Sequence, residues 1–337
     1  MRAGARSLVI VVLAVFVCFA LFNTIAPHEA SVGTPRGLQE KSTYSPGTDV
    51  CRGDPTAVEM RTMWQSAVDA ADTIEAECAD MDETQLSKCE VPPVLHFVLG
   101  YPGKFDFYAY ISVKSAHDRV KPEAIYMHVF GQRFDPSPYL KRAIDEFGIK
   151  LVSARDVTEV MGRKVDVVEH RSDVVRLESL IRFGGIYIDL DAFILQPFDV
   201  FYKNELTMPA EGNVGVNNGI MIAKRCSRFL RHWYKEYKSF DDSKWGDHSI
   251  LLPKKLAETY PDWIKVEQEV LQSDFTDTYD RLMSDNLEKD YWAPVRAVHS
   301  FIRLAETKYD EESIKTVTSN FGTMVRRIME GKPGMMN

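Results

Sequence analysis

The run Ile186-Tyr187-Ile188-Asp189-Leu190-Asp191 brings an apolar stretch to two carboxylates two residues apart. In an extended strand alternate side chains share a face, so Tyr187, Asp189 and Asp191 are expected on one side and Ile186, Ile188 and Leu190 on the other. Two positions along a strand are roughly 6.6 Å apart, which lets one hard divalent cation and its bridging oxygens engage both carboxylates. Burying both without compensation would cost several kcal/mol each, so a cation or cationic ligand is expected beside them. Asp80-Met81-Asp82 has the same spacing but no apolar strand ahead of it, and it reads as a solvated face.

A helix over about Val167 to Phe183 leads into this strand through Gly184-Gly185. Asp173 and Arg176 share one of its faces, while Val174, Leu177 and Ile181 form its core stripe. The pair is either an intrahelical ion pair or a holder of sugar hydroxyls, the carboxylate accepting two hydrogen bonds and the guanidinium donating in a fixed fork.

The frame for these residues is an alternation of strand and helix that begins at Val91. Val94–Leu99 is β-rich, a helical pattern runs through Ala116, Ala124–Phe130 is apolar, Tyr139–Phe147 is helical and Ile149–Val152 is extended. Such alternation predicts an α/β fold with a mostly parallel sheet and flanking helices, where ligands collect at the carboxyl ends of the strands. Before Val91 the chain divides into residues 1–6, an apolar segment 7–26 and a stem 27–90 that is Pro-, Gly-, Ser- and Thr-rich to Pro55, then acidic and helical over Ala57–Ala79. Residues 91–337 form the catalytic domain.

Every residue from Leu8 to Phe22 is apolar, and a helix of about 20 residues spans a hydrocarbon core of about 30 Å. Arg2 and Arg6 before it predict a cytoplasmic amino terminus and a type II membrane protein. The rival is a signal peptide cleaved after Ala26, disfavoured by Pro27 at the cut. Either reading puts the body in a secretory lumen, on the Golgi or ER membrane if the segment is retained. Cys51, Cys78, Cys89 and Cys226 then form disulfides, with three pairings open, and none has the double CxxC spacing of a zinc site.

Hydrophobic residues at 45% and charged residues at 27% are those of a globular chain. Subtracting 49 Asp and Glu from 41 Lys and Arg leaves a net charge of −8, which works against a nucleic-acid partner.

The segment HRSDVVRLESLIRFGGIYIDLDAFIL, His170 to Leu195, closely resembles the sugar-binding Asp-x-Asp region of glycosyltransferase family 32. A weaker likeness runs from Val91-Pro92-Pro93-Val94-Leu95-His96 to His299. The resemblance implies a GT-A fold, a nucleotide-sugar donor linked to UDP or GDP, and manganese or magnesium on its diphosphate. It also implies transfer of a hexose or N-acetylhexosamine to a glycan or glycolipid with retention of configuration. Carried over, Asp191 is a direct metal ligand, Asp189 meets the donor and the metal through water, and Asp173, Arg176 and Tyr187 hold the donor. The backbone of Phe97, Val98, Leu99 and Gly100 receives the base, where many members have a Trp. Asn217-Asn218-Gly219 resembles the Asn-x-x-Ile segment lining the site, and the alternative reading is a polar turn. Trp245-Gly246-Asp247-His248 stands where relatives have a Gly-Pro segment, which adds Asp247 to the catalytic set with Asp189, Asp191 and Asn218. Ala297-Val298-His299 resembles the late His that completes the metal site. Unperturbed, that His would titrate near 6.5, between about pH 5.5 and 7.

Neutralising charge on a leaving diphosphate is the main chemical requirement of such a transfer, and oxygen ligands select manganese or magnesium over zinc. A covalent double displacement and a same-face route are both open. Two other classes compete: an inactive sugar-nucleotide-binding or scaffold protein of the same fold, and a metal-dependent hydrolase, which lacks a His-rich cluster or nucleophile motif around the Asp pair.

Overall fold

The structure is a computed structural model and describes Cys51 and residues 70–100, 103–131 and 137–335. The apolar segment 7–26, and the stem up to residue 69 apart from Cys51, lie outside the described residues. Among the described residues, no helix is long and apolar enough to cross a membrane. All of them fall in one compact unit, Thr48–Asn337.

Two short helices, α1 (Ala70–Glu77) and α2 (Glu83–Lys88), precede the sheet. The expected alternation then follows as β1 (Val94–Gly100), α3 (Phe107–Val120), β2 (Ala124–Phe130), α4 (Pro138–Phe147) and β3 (Lys150–Ser153). A small hairpin, β4 (Glu159–Val160) with β5 (Arg163–Lys164), leads to α5 (Val168–Phe183), β6 (Gly185–Ile188) and β7 (Ala192–Ile194). After these come β8 (Leu206–Glu211), β9 (Gly215–Val216), β10 (Ile220–Ala223), α6 (Arg228–Lys235), β11 (Lys265–Glu267), β12 (Leu271–Gln272) and β13 (Ala297–His299).

The main sheet has the order β11-β8-β10-β6-β1-β2-β3, with β9 paired to β8. From β6 to β3 all neighbours are parallel, as the sequence predicts. The sheet becomes mixed at β10, which runs antiparallel to both β6 and β8. Period-two burial splits the core into two layers. Leu95, Phe97, Leu99, Ile186, Ile188, Ile220 and Ile222 pack toward α3 and the carboxyl-terminal helix Asn320–Met329. Val94, Val98, Tyr187 and Met221 face α5 and α6. Chain order runs outward from β1 through β2 to β3, then returns by α5 to β6 on the other flank of β1. That reversal makes the carboxyl ends of β1 and β6 a topological switch point, where α/β sheets bind ligands.

The Gly184-Gly185 turn feeding β6 has φ of +64° and +107°. A Cβ on Gly185 would lie 2.6 Å from the Val94 carbonyl oxygen, so β6 can hug β1 there only without a side chain. His96 of β1 secures the same corner with a ring nitrogen 3.1 Å from the Gly184 carbonyl, while His128 of β2 lies 3.0 Å from its other nitrogen. Burial lowers both imidazoles, His96 to about 4.

The boundary at residue 90 expected from sequence falls inside a packed segment. Ile74, Cys78, Met81, Leu86 and Cys89 are buried in the α5 layer. Disulfides join Cys51 to Cys89 and Cys78 to Cys226, and Glu77 Oε2 accepts from Arg182 Nε of α5 at 2.8 Å. In the Asp80-Met81-Asp82 control, Met81 turns inward and Asp82 caps α2 by accepting from the Gln85 amide at 2.8 Å. Polar composition hides this packing because few side chains face inward, and two of those are the cystines.

The Cys78–Cys226 bridge closes 148 residues of separation, and loss of a native disulfide typically costs about 2–5 kcal/mol, the long loops standing at the upper end. The double variant Cys78→Ser/Cys226→Ser should therefore melt several degrees lower than wild type, and reductant should lower the wild-type midpoint further toward it. Equal midpoints for wild type and variant in non-reducing buffer would show that the bridge carries none of this stability.

Candidate active site

Strand β6 ends at Ile188, three residues short of the Asp191 that the alternation argument places on the same strand face. Asp189, Leu190 and Asp191 instead form a turn, closed by the Ala192 amide donating to the Asp189 carbonyl at 3.0 Å. The two carboxylates converge through this turn rather than through strand alternation. Backbone bonds fix it from three sides. The Asp189 amide donates to the Gly219 carbonyl at 2.8 Å, Ser112 Oγ donates to the Asp189 carbonyl at 3.1 Å, and the amide and hydroxyl of Ser300 both donate to the Asp191 carbonyl.

His299 arrives through a second sheet of order β12-β13-β7, where it pairs with Ala192 across antiparallel strands. Its Nε2 lies 3.1 Å from Asp191 Oδ1 and 3.6 Å from Asp189 Oδ2. One ligand atom from each of Asp189, Asp191 and His299 falls within 4.8 Å of the other two. Asp191 Oδ2 is buried and accepts no hydrogen bond. Two carboxylates and an imidazole with one carboxylate oxygen unsatisfied fit manganese, which tolerates mixed oxygen and nitrogen ligands.

The Asp173–Arg176 pair lies against this turn. Arg176 is only 5% exposed, with one Nη 3.2 Å from Asp173 Oδ1 and the other 3.3 Å from Asp189 Oδ1. It donates to the Asn218 carbonyl at 2.8 Å, and its guanidinium carbon sits 4.5 Å above the centre of the Tyr187 ring. The Tyr187 hydroxyl donates to Asp189 Oδ1 at 2.6 Å, and Asn218 Nδ2 donates to Asp173 Oδ1 at 2.8 Å. Burial would lower the Arg176 pKa, but Asp189, Tyr187 and Asp173 together raise it. Burial pushes Asp173 up against the pull of Arg176.

Asn217-Asn218-Gly219 lies directly against this cluster. Asn217 Oδ1 accepts from the Gly219 amide at 2.7 Å, and Asn217 Nδ2 donates to the Glu211 carboxylate. A Cβ on Gly219 would stand 2.9 Å from Asp189 Oδ2 and 3.1 Å from His299 Cε1, so glycine lets β10 start this close to the cluster. Phe97, Val98 and Leu99 are buried in β1, and Gly100 ends that strand beside Phe130 and Val168.

Asp247 is not joined to this cluster by any described contact. It opens the irregular turn Asp247–Leu251 and lies 3.6 Å from Lys244. The Trp233 indole donates to the His248 carbonyl, and the Trp245 ring packs 5.4 Å from His170 at the start of α5. Sequence reasoning passed over Glu211, Asp242, Ser300 and Arg303. Glu211 is buried on β8, and burial raises its carboxyl to about 7. Asp242 Oδ2 accepts from the Asp166 amide at 2.9 Å and its Oδ1 lies 2.7 Å from His170 Nδ1, fixing the first turn of α5. None of the four sits in a motif, and each is brought in from a remote element.

Residues 122–208 match the family described as a glycosyltransferase sugar-binding region containing the DXD motif. Glucan organizing enzyme 1 of Cryptococcus neoformans var. grubii serotype A is 30% identical over 197 residues, covering 53% of this chain and 53% of that protein. The O-glycosyltransferase braB of Annulohypoxylon truncatum is 28% identical over 139 residues, covering 35% of this chain and 33% of its own. The chain spans about half the length of the first of these curated relatives and a third of the second. Among solved structures, the apo form of the glycosyltransferase GlyE of Streptococcus pneumoniae aligns with a TM-score of 0.42 at 14% identity, covering 71% of this chain and 60% of that one. Residues 122–208 thus carry a sugar-binding region of the Asp-x-Asp type, and both curated relatives are similar to this chain over part of their length.

Burial alone would raise Asp191, yet the His299 imidazolium and then Arg303 bring it down to about 2. Burial would lower His299, but Asp191 and Asp189 raise it above 6.5. In the metal-free fold the His299 contribution to stability is full below pH 6.5 and fades as pH rises through its raised value. The Asp191 contribution is present above 3.8 and fades as pH falls toward about 2. Coordination runs the other way, because the ring must lose its proton first. Manganese affinity, read by calorimetry or paramagnetic resonance, should climb above about pH 6.5, a higher window than an unperturbed His would give. His299→Gln should bind weakly and flatly with pH, whereas a pH-independent wild-type affinity between 6 and 8.5 would remove His299 from the ligand set.

Proposed function

We propose that this protein is a metal-dependent glycosyltransferase that moves a hexose or N-acetylhexosamine from a UDP- or GDP-linked donor to a glycan or glycolipid acceptor, with retention of configuration. The observation that carries the reading is the convergence of Asp189, Asp191 and His299 beside the buried Asp173–Arg176 pair at the sheet's switch point. A manganese or magnesium ion held by Asp189, Asp191 and His299 would supply Lewis-acid neutralisation of the donor diphosphate.

The chain's own groups set the donor. Both described contacts to Asp173 fall on Oδ1, which leaves Oδ2 to accept from a sugar hydroxyl. Arg176 is held on three partners at once and so presents a fixed edge rather than a mobile one. Tyr187 ties Asp189 Oδ1 in place, which turns Asp189 Oδ2 toward His299. In the transfer, the bond from the anomeric carbon to the diphosphate oxygen breaks and its electron pair stays on that oxygen. The acceptor oxygen bonds the same carbon, and its proton leaves to the departing phosphate or to solvent. The sugar-facing groups are buried before any ligand arrives, so little reorganisation is left for the reaction itself.

The membrane reading belongs to the same proposal: residues 7–26 anchor the chain in the Golgi or ER membrane with the catalytic unit in the lumen. Two disulfides support an oxidising compartment. In sealed microsomes the catalytic unit should resist protease and stay with the membrane through a carbonate wash. A soluble product beginning near Pro27 would sink the anchor.

Release of UDP or GDP from a panel of nucleotide sugars, with manganese and an acceptor glycan, tests the activity. Asp191→Asn should lower turnover by about 100- to 1000-fold with its melting temperature kept, on the scale of lost electrostatic stabilisation at a reacting group. Asp80→Asn should match wild type. Turnover without any acceptor would favour a hydrolase, and no release with any donor would favour the inactive binding protein.

A further inference from the structure

We propose that Arg303 is the anion-binding residue for the donor's diphosphate, a guanidinium placed over the metal cluster by a purpose-shaped turn. This rests on the nucleotide-sugar reading above and adds a residue to it.

Arg303 Nε lies 3.7 Å from Asp191 Oδ2, and its side chain is 46% exposed. That distance is too long for a hydrogen bond, and Asp191 already has His299 as its closer partner at 3.1 Å. A half-exposed ion pair of this kind stabilises a fold little. The guanidinium instead borders Asp191 Oδ2, a buried carboxylate oxygen of the cluster that accepts no hydrogen bond, and remains about half exposed itself.

The turn that carries it is over-determined. Ser300 donates twice to the Asp191 carbonyl, and the Ile302 amide donates to Ser300 Oγ at 3.2 Å. Phe301 has φ of +54°, a left-handed conformation that residues other than glycine avoid and that persists where surroundings enforce it. Its ring is held 4.0 Å from that of His299 and 5.2 Å from that of Phe275. A single turn, Ile302–Leu304, follows, and Lys308 Nζ donates to the carbonyls of Ile302 at 3.1 Å and Arg303 at 2.7 Å. The lysine is thus spent on backbone, and the arginine is the cation left facing outward. Five donors in a planar fork match a phosphate's paired oxygens better than an ammonium does. Asp191, one of the residues that would hold the ion, shares this edge with Arg303, so the guanidinium would supply positive charge where an anion on the cluster is neutralised.

Calorimetric binding of UDP and of GDP in saturating manganese, on wild type, Arg303→Gln and Arg303→Lys, tests this. Arg303→Gln should weaken the nucleotide that wild type binds by tenfold or more, with Arg303→Lys between the two. Melting temperature and the affinity for manganese alone should be kept, or manganese should bind slightly tighter once a competing cation is gone. Equal diphosphate affinity in wild type and Arg303→Gln overturns the assignment while leaving the donor reading intact. Weaker binding of manganese alone in Arg303→Gln also overturns it, since the residue would then act through the metal site. A wild-type chain that binds neither UDP nor GDP sinks the donor reading and this assignment with it.

Discussion

Arg176 carries a full charge in a place from which water is almost excluded, and the surrounding chain is arranged to satisfy it. Asp173 lies three residues before it on the same helix, Asp189 arrives from the end of β6, the Asn218 carbonyl arrives from the entry to β10, and the Tyr187 ring covers one face. Removing both acidic partners would leave a buried charge uncompensated, an arrangement that costs far more than an exposed ion pair contributes. The guanidinium therefore ties α5 to the end of β6 and the entry to β10, and the side chains around Asp189 inherit that fixed geometry. The rest of the α5 layer repeats the logic at its far end. Glu178 is fully buried between Arg155 at 2.7 Å and Arg182 at 3.5 Å, with the Tyr234 hydroxyl donating to it.

The metal half of the site depends on a different device. His299 comes 108 residues after Asp191, and the three-stranded sheet β12-β13-β7 delivers it by backbone pairing alone. The Asp-x-Asp turn is thus the hinge between two sheets, its amino-terminal side continuing β6 and its carboxyl-terminal side starting β7. The same turn serves both halves because a carboxylate can answer a guanidinium with one oxygen and a metal with the other, as Asp189 is placed to do.

Much of this was legible in the sequence because it rests on local pattern. The strand–helix alternation from Val94 to Val152, the helix ending at Phe183 and the approach of Asp189 to Asp173 follow from periodicity and from the order of elements. Asn218 and His299 were reachable only through family resemblance, since nothing in their neighbourhoods distinguishes them from a turn asparagine and a core histidine. The α/β expectation held for the parallel half of the sheet, while the antiparallel β10 was invisible because a four-residue apolar strand reads alike in both directions. Asp247 was inferred from a motif whose proline is missing here, and among the described contacts it lies 3.6 Å from Lys244 rather than against the cluster. The packing of residues 74–89 was hidden for a compositional reason: a segment held by cystines and a few apolar contacts keeps the surface chemistry of a tether.

The Cys78–Cys226 bridge ties that segment to the residue three positions beyond β10, the strand whose other end presents Asn218 and Gly219. The assembled sheet holds these two residues together across 148 positions, with β10 in its antiparallel place between β6 and β8. The bond in turn pins the far end of β10 to the amino-terminal segment, so a folded copy whose two sulfhydryls stay free lacks that tether. Thiol labelling therefore separates tethered copies from untethered ones without reference to catalysis.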